Sequence, residues 1–204
     1  NRDFQIFTER PFIRPLSHKG QLRTMYQYVR MNPQRLATKK LMPGFFRVQE
    51  DIEIAERTYR GIGNAKLLQA IQYAPVHVRR TMVEEAEHDD DKSLRDYMNS
   101  CVLDARMGSV MVSPFISQQE KAVMDVLIKE KHPFIYIADN GFRDYYKPSD
   151  GLFDAVAEGR VLILSPWEYD AGKKHVTRAE CVEMNRMAEE ICDALSSPNA
   201  IRKN

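Results

Sequence analysis

Two short stretches of the chain end alike. VMVSPF (Val110–Phe115) and VLILSPW (Val161–Trp167) each run from branched apolar residues into Ser-Pro and then an aromatic ring. The residue types gathered at and near these stops suit the holding of a phosphate-bearing or aromatic ligand. Ser113, with Pro114 and Phe115, is followed by Ser117-Gln-Gln-Glu120, a capping box whose helix would offer free amides and a positive dipole end to an anion. Asn140-Gly141 permits close backbone approach, Lys147 reaches as a cation, and Trp167, the one tryptophan, can stack a base. Ser165 stands beside Trp167, Arg79 and Arg80 follow another apolar run, and His175, Thr177 and Arg178 precede or open a late helix. Each has a plainer use, as turn, cap or solvated side chain.

Other chemistries find no residues to carry them. The five histidines are scattered with no HxH or HExxH pair, the three cysteines form no CxxC, and His88 among EEAEHDDD reads as part of a hydrated loop, so no metal and no other cofactor is expected. There is no GxGxxG after the first strand and no GxxxxGK[ST]. Ser113 and Ser165 are each followed by proline, which has no N–H for an oxyanion hole, so neither forms a serine-nucleophile elbow. Asp139, Asp144 and Glu168 are the carboxylates placed to act if the same crevice cleaved a nucleotide.

These residues need elements to position them. Apolar runs with little alternation, separated by helix-period segments, predict parallel strands covered on both faces. IQYAPVHVRR (71–80), SVMVSPF, FIYIADNG and VLILSPW read as strands and EEAEHDDD (84–91) as a loop. Helices are expected over SLRDYMNSCVLDARMG with Ser93 and Asp96 in capping-box spacing, SQQEKAVMDVLIKEK, the region of GLFDAVAEGR, and Thr177 to about Leu195. The expected fold is α/β and Rossmann-like: a doubly wound, mostly parallel sheet of about four or five strands, helices on both faces, and a basic helical N-terminal segment. Ligands in such sheets gather beyond the carboxyl ends of the strands, where both Ser-Pro stops would lie. The implied division is a basic segment over 1–48, a connector over 49–57, the Rossmann-like domain over 58–196 and a tail over 197–204.

The N-terminal segment differs in charge. The chain has 204 residues and a net charge of +1, yet residues 1–48 carry ten Lys or Arg against two acids, so the remaining 156 residues sum to −7. Fields act locally, and such a segment suits a polyanion. A first helix is read from Lys19, and Asn32-Pro33 begins a second with N-cap and N1 chemistry. Arg23, Arg30, Arg35, Lys39 and Lys40 are the candidate phosphate contacts. No uncharged run approaches the ~20 apolar residues of a membrane span, and NRDFQIFTERPF lacks a secretory core, which places the protein in the cytoplasm without a membrane partner.

The order of these motifs resembles the Rossmann-like domain of the DNA-processing protein A (Smf-like) family, within the lonely-guy-like group. The matching positions are Val112-Ser113-Pro114, Asn140-Gly141 with Tyr145-Tyr146-Lys147-Pro148, Leu164-Ser165-Pro166-Trp167, and Thr177-Arg178. Where the family has glycine after VS and an acid after LS, this chain has Pro114 and Pro166, and the PGGxGTxxE motif of the group's phosphoribohydrolases is absent. Tyr28-Val-Arg-Met-Asn32-Pro33 is similar to the end of REP-associated single-tyrosine (HUH) transposases, which implies a tyrosine nucleophile and a metal-ligating amide at Tyr28 and Asn32 if that part were intact. Their i,i+4 spacing shares a helix face, but no histidine pair precedes them and only 27 residues stand before Tyr28, implying a remnant or a fragment.

Charge and resemblance together favour a nucleic-acid-associated binding protein in DNA processing or mobile-element biology over an enzyme. Its partners would be single-stranded DNA first, then a nucleotide or phosphate-bearing small molecule, with a homodimer left open. The alternative is an N-glycosidic hydrolase-like enzyme working on nucleotides in the same crevice.

Overall fold

A computed structural model describes residues 15–88, 92–143 and 146–197. It divides into two compact units, Asn1–Leu41 and Met42–Asn204. The described part of the first is one helix, α1, Gln21–Leu41. It runs through Asn32-Pro33, where a second helix start was expected. Helix formers on both sides carry it past Pro33, whose missing N–H costs one intrahelical bond. No described helix is long and apolar enough to cross a membrane.

The second unit is mixed α/β, built on a six-stranded sheet. A hairpin comes first: β1 (Gln49–Ile54) and β2 (Arg57–Gly63), antiparallel. Then follow β3 (Tyr73–Pro75), α2 (Arg80–His88), α3 (Lys92–Arg106), β4 (Val110–Ser113) and α4 (Gln118–Glu130). The chain closes with β5 (Phe134–Ile137), α5 (Asp150–Ala157), β6 (Val161–Ser165) and α6 (Arg178–Ser196). Strand order is β1-β2-β6-β5-β4-β3, with β3 to β6 mutually parallel and β2 antiparallel to β6.

The sheet is therefore mixed, with a hairpin standing where 49–57 was read as a connector. The parallel strands follow sequence order with no reversal, unlike a doubly wound sheet. Crossovers advancing in one direction with one hand place their helices on one face. Accordingly α3, α4 and α5 pack with Phe46, Met111, Phe134 and Ile163 on one side of the sheet. The other side is covered by α6, whose Met184, Met187, Ala188, Ile191 and Cys192 meet Val112, Ile135, Ile137 and Leu164. Helices thus lie on both faces, three against one.

Three local expectations change. β3 is three residues long because side chains take the next backbone donors: His77 N–H donates to the Tyr97 hydroxyl at 2.9 Å and Val78 N–H to the Glu120 carboxylate at 2.9 Å. The stretch from Arg80 to His88, half of it read as loop, is helical and stapled by Arg80–Glu84 at 2.6 Å; 89–91 lie outside the described residues. α3 begins at Lys92, one residue before Ser93, so the Ser93–Asp96 pair lies inside the helix and does not cap it. The capping boxes at Ser117–Glu120 and Thr177–Glu180 are both formed.

Candidate functional site

Parallel pairing of β4, β5 and β6 brings both Ser-Pro stops to one rim of the sheet, separated by β5. Each stop is built in the same way. The Ser113 hydroxyl accepts from Phe115 N–H at 3.0 Å and donates to the Val76 carbonyl at 2.7 Å, and the Ser165 hydroxyl accepts from Trp167 N–H at 3.2 Å. These are serine turns, in which the side chain stands in for a backbone acceptor. Both serines are fully buried. Pro114 is buried as well, and Phe115, at φ 45°, is sealed between Phe134 at 5.6 Å edge-on and Tyr136 at 6.3 Å stacked. Ser117 is engaged as the cap of α4.

Between the two serine turns, the loop after β5 opens into a cleft of about 240 Å³ lined by Tyr136, Asp139, Asn140, Gly141, Arg143, Tyr146, Lys147 and Tyr169. A second cavity of about 170 Å³ adjoins it through Tyr136 and Asp139, with Pro114, Phe115 and Lys121 on its wall. Asn140 clamps the floor. Its side-chain oxygen accepts from Gly141 N–H at 2.8 Å and Asp170 N–H at 2.9 Å, and its amide donates to the Asp170 carbonyl at 2.8 Å. Gly141 does permit close backbone approach, but to the loop after β6: a Cβ there would stand 2.3 Å from Tyr169 N and 2.5 Å from the Trp167 oxygen.

Lys173 fastens the same loop. Its ammonium donates to the Asp139 carbonyl and, at 2.6 Å, to Glu180, and it lies 5.6 Å from the Trp167 ring centroid. Hydrogen bonds from Lys173 and from the Thr177 N–H and hydroxyl hold the Glu180 carboxyl down at about 2. Within the cleft, burial and then the nearby Asp139 carboxylate push the Tyr136 phenol up to about 12, and the same two causes raise Tyr146. The Tyr146 ring is steadied edge-on by Phe142 at 4.9 Å. Lys147 lies 5.8 Å from the Phe153 centroid.

Of the residues singled out in the sequence, the fold brings Asp139, Asn140, Gly141, Tyr146 and Lys147 to this cleft. Ser165 and Trp167 line a separate cavity of about 240 Å³ with Arg60, whose guanidinium pairs with Glu50 at 2.6 Å and Glu168 at 2.8 Å. Arg79 lines a fourth, of about 390 Å³, beside a His77–Glu189 contact of 3.3 Å; Arg80 opens α2 and Arg178 opens α6, both exposed. Asp144 and Tyr145 lie outside the described residues. Sequence reading missed Tyr136, Arg143 and Tyr169. Tyr136 is the one polar residue of FIYI, and its parity with Phe134 was the available signal.

On α1, Arg23, Arg30 and Lys40 are exposed, Lys39 is half-buried and Arg35 is buried. Tyr28 and Asn32 are exposed one turn apart. No group of three metal-ligating side chains is formed among the described residues.

No family model matches the chain, and no curated protein matches it. Two solved structures are similar. A DNA processing protein A from Helicobacter pylori, solved to show its single-stranded DNA binding mode, has 18% identity and a TM-score of 0.48 and covers 72% of this chain. DNA processing protein A (DprA) from Streptococcus pneumoniae has 16% identity and a TM-score of 0.46 and covers 82% of this chain. The chain spans 66% and 58% of the lengths of these proteins. At that level the likeness carries no argument about activity.

Proposed function

We propose that the protein is a nucleic-acid-associated binding protein of the DNA-processing kind, with single-stranded DNA as its partner, the basic N-terminal segment engaging phosphates, and a Rossmann-like sheet whose rim cleft takes a nucleotide or a strand end. One observation carries the reading: from Arg10 to Gln49 the chain contains nine Lys or Arg and no acid, and one helix occupies 21–41 of that run. A helix with no internal acid to neutralise it presents a field suited to a phosphate backbone. The cleft supports the other half, since tyrosine rings beside Arg143 and Lys147 pair stacking surfaces with cations, the usual combination for unpaired bases. Of the other carboxylates read as candidates for cleaving a nucleotide, Glu168 is paired with Arg60 and Asp144 lies outside the described residues.

The test is fluorescence anisotropy of the full chain with labelled single-stranded oligonucleotides across a salt series. Expected is an affinity falling steeply with salt, and in an Arg23/Arg30/Lys39/Lys40→Ala variant a slope flatter by about 0.7 for each phosphate that is no longer neutralised. Binding that is flat with salt, or absent at low salt, refutes it.

A further inference from the structure

We propose that the cleft beyond β5 selects guanine, through the Asp139 carboxylate and a tyrosine hydroxyl on the base edge, with Tyr169 as the stacking wall. This rests on the single-strand reading above and names the base that the cleft would take. Asp139 lines both adjoining cavities, and its backbone carbonyl is held by Lys173. Its carboxylate makes no hydrogen bond or ion pair among the described residues, although the site is half-buried. Neither the Tyr136 nor the Tyr146 hydroxyl is bonded among the described residues, and both sit close enough to that carboxylate to feel its charge. Tyr169 is 44% exposed and lines the cleft beside them.

An ionised carboxylate only accepts, at two oxygens, whereas a phenol can donate. The complementary base edge has two adjacent donors next to an acceptor. Guanine presents this with N1–H, N2–H and O6. Adenine and cytosine bring one amine donor next to a ring-nitrogen acceptor, and thymine one N–H between two carbonyls. Each of these sets a lone pair against the second carboxylate oxygen. A bidentate pair of this kind discriminates by about tenfold or more. Arg143 and Lys147 on the same cleft offset the repulsion between Asp139 and the strand's own phosphates.

The experiment is titration of the full chain by calorimetry with GMP, IMP, AMP and TMP, alongside thymidine oligonucleotides with and without one guanine. GMP should bind about tenfold tighter than AMP or TMP, with IMP, which lacks the 2-amino group, between them. Because the carboxylate bonds nothing among the described residues, Asp139→Asn should melt like the parent. Its amide suits adenine's donor–acceptor edge, so preference should move towards AMP, while Asp139→Ala should lose preference. Equal binding of all four nucleotides, or a guanine preference surviving in Asp139→Asn, overturns the assignment. Guanine-preferring nucleotide binding without oligonucleotide binding sinks only the single-strand reading, oligonucleotide binding without base preference sinks only the guanine assignment, and no binding of either ligand sinks both.

Discussion

Gly141→Ala should be the most damaging single methyl in the cleft. The added Cβ would lie 2.3 Å from Tyr169 N, 2.5 Å from the Glu168 carbonyl carbon and 2.5 Å from the Trp167 oxygen. All three are backbone atoms, so no rotamer change relieves them, and the loops after β5 and β6 must part. Overpacking of this kind costs about 1–3 kcal/mol. Parting the loops also strains the two Asn140–Asp170 bonds, each contributing about 1 kcal/mol. With both bonds lost, a total of about 3–5 kcal/mol corresponds to a fall in Tm of roughly 6–20 °C for a protein of this size. Gly44→Ala, with nothing within 4 Å of the new methyl, is the control and should stay within about 0.5 kcal/mol. Scanning calorimetry reads both. Because Tyr169 is displaced, nucleotide affinity at the cleft should fall as well. If Gly141→Ala melted within about 2 °C of the parent, the two loops would not be in the contact described here.

Other perturbations separate structural from binding roles. Glu120 is buried and accepts from Val78, Ile116 and Ser117 N–H, so Glu120→Gln, which turns one acceptor into a donor, should cost about 2 kcal/mol in urea denaturation; an unchanged midpoint would refute the clamp. Ser113→Ala should lower stability by about 1–3 kcal/mol, since it strands the Phe115 N–H, while oligonucleotide affinity stays with the parent's. A fall in affinity at unchanged stability would return Ser113 to the ligand site. The Glu180 carboxyl is held at about 2, below its unfolded value of about 4.3, so its contribution is present above that upper value and is lost as pH falls towards about 2. Glu180→Gln should therefore narrow its Tm gap to the parent over that window; a constant gap would contradict the Lys173–Glu180–Thr177 network.

Much of the parallel half was legible because its signals are local. The strands β4, β5 and β6 stand out as apolar runs, and the Ser117 capping box marks the start of α4. The hairpin was hidden for equally local reasons. Its two-residue turn is Ala55-Glu56, both at positive φ, in place of the Asn-Gly pair that announces such turns. A bulge at Asp51 breaks the alternation of β1, and Gly61 and Gly63 make β2 read as a loop. Gly63 is required there, since a Cβ would stand 2.1 Å from the Val161 carbonyl oxygen. The cleft was half-legible. Asp139, Asn140, Gly141 and Lys147 were in view because of their types, but Tyr136 and Tyr169 enter it through strand parity and loop path, which depend on pairing across the sheet.

The twin Ser-Pro-aromatic stops acquire a different meaning from these contacts. A strand ending at a sheet rim leaves backbone donors that must be met, and a serine turn meets one from within. Proline next in line has no donor to meet, and the aromatic ring after it covers the core: Phe115 over Phe134 and Trp167 against the α6 side. Solved twice, on β4 and β6, this arrangement meets one backbone donor on each neighbour of β5. The strand between them ends in Ala-Asp-Asn-Gly, where Asn140 and Gly141 serve the loop contact and Asp139 lines both cavities. The repeated motif thus serves the ends of the flanking strands by meeting their backbone donors from within, while at the end of β5 the Asp139 side chain makes no bond among the described residues.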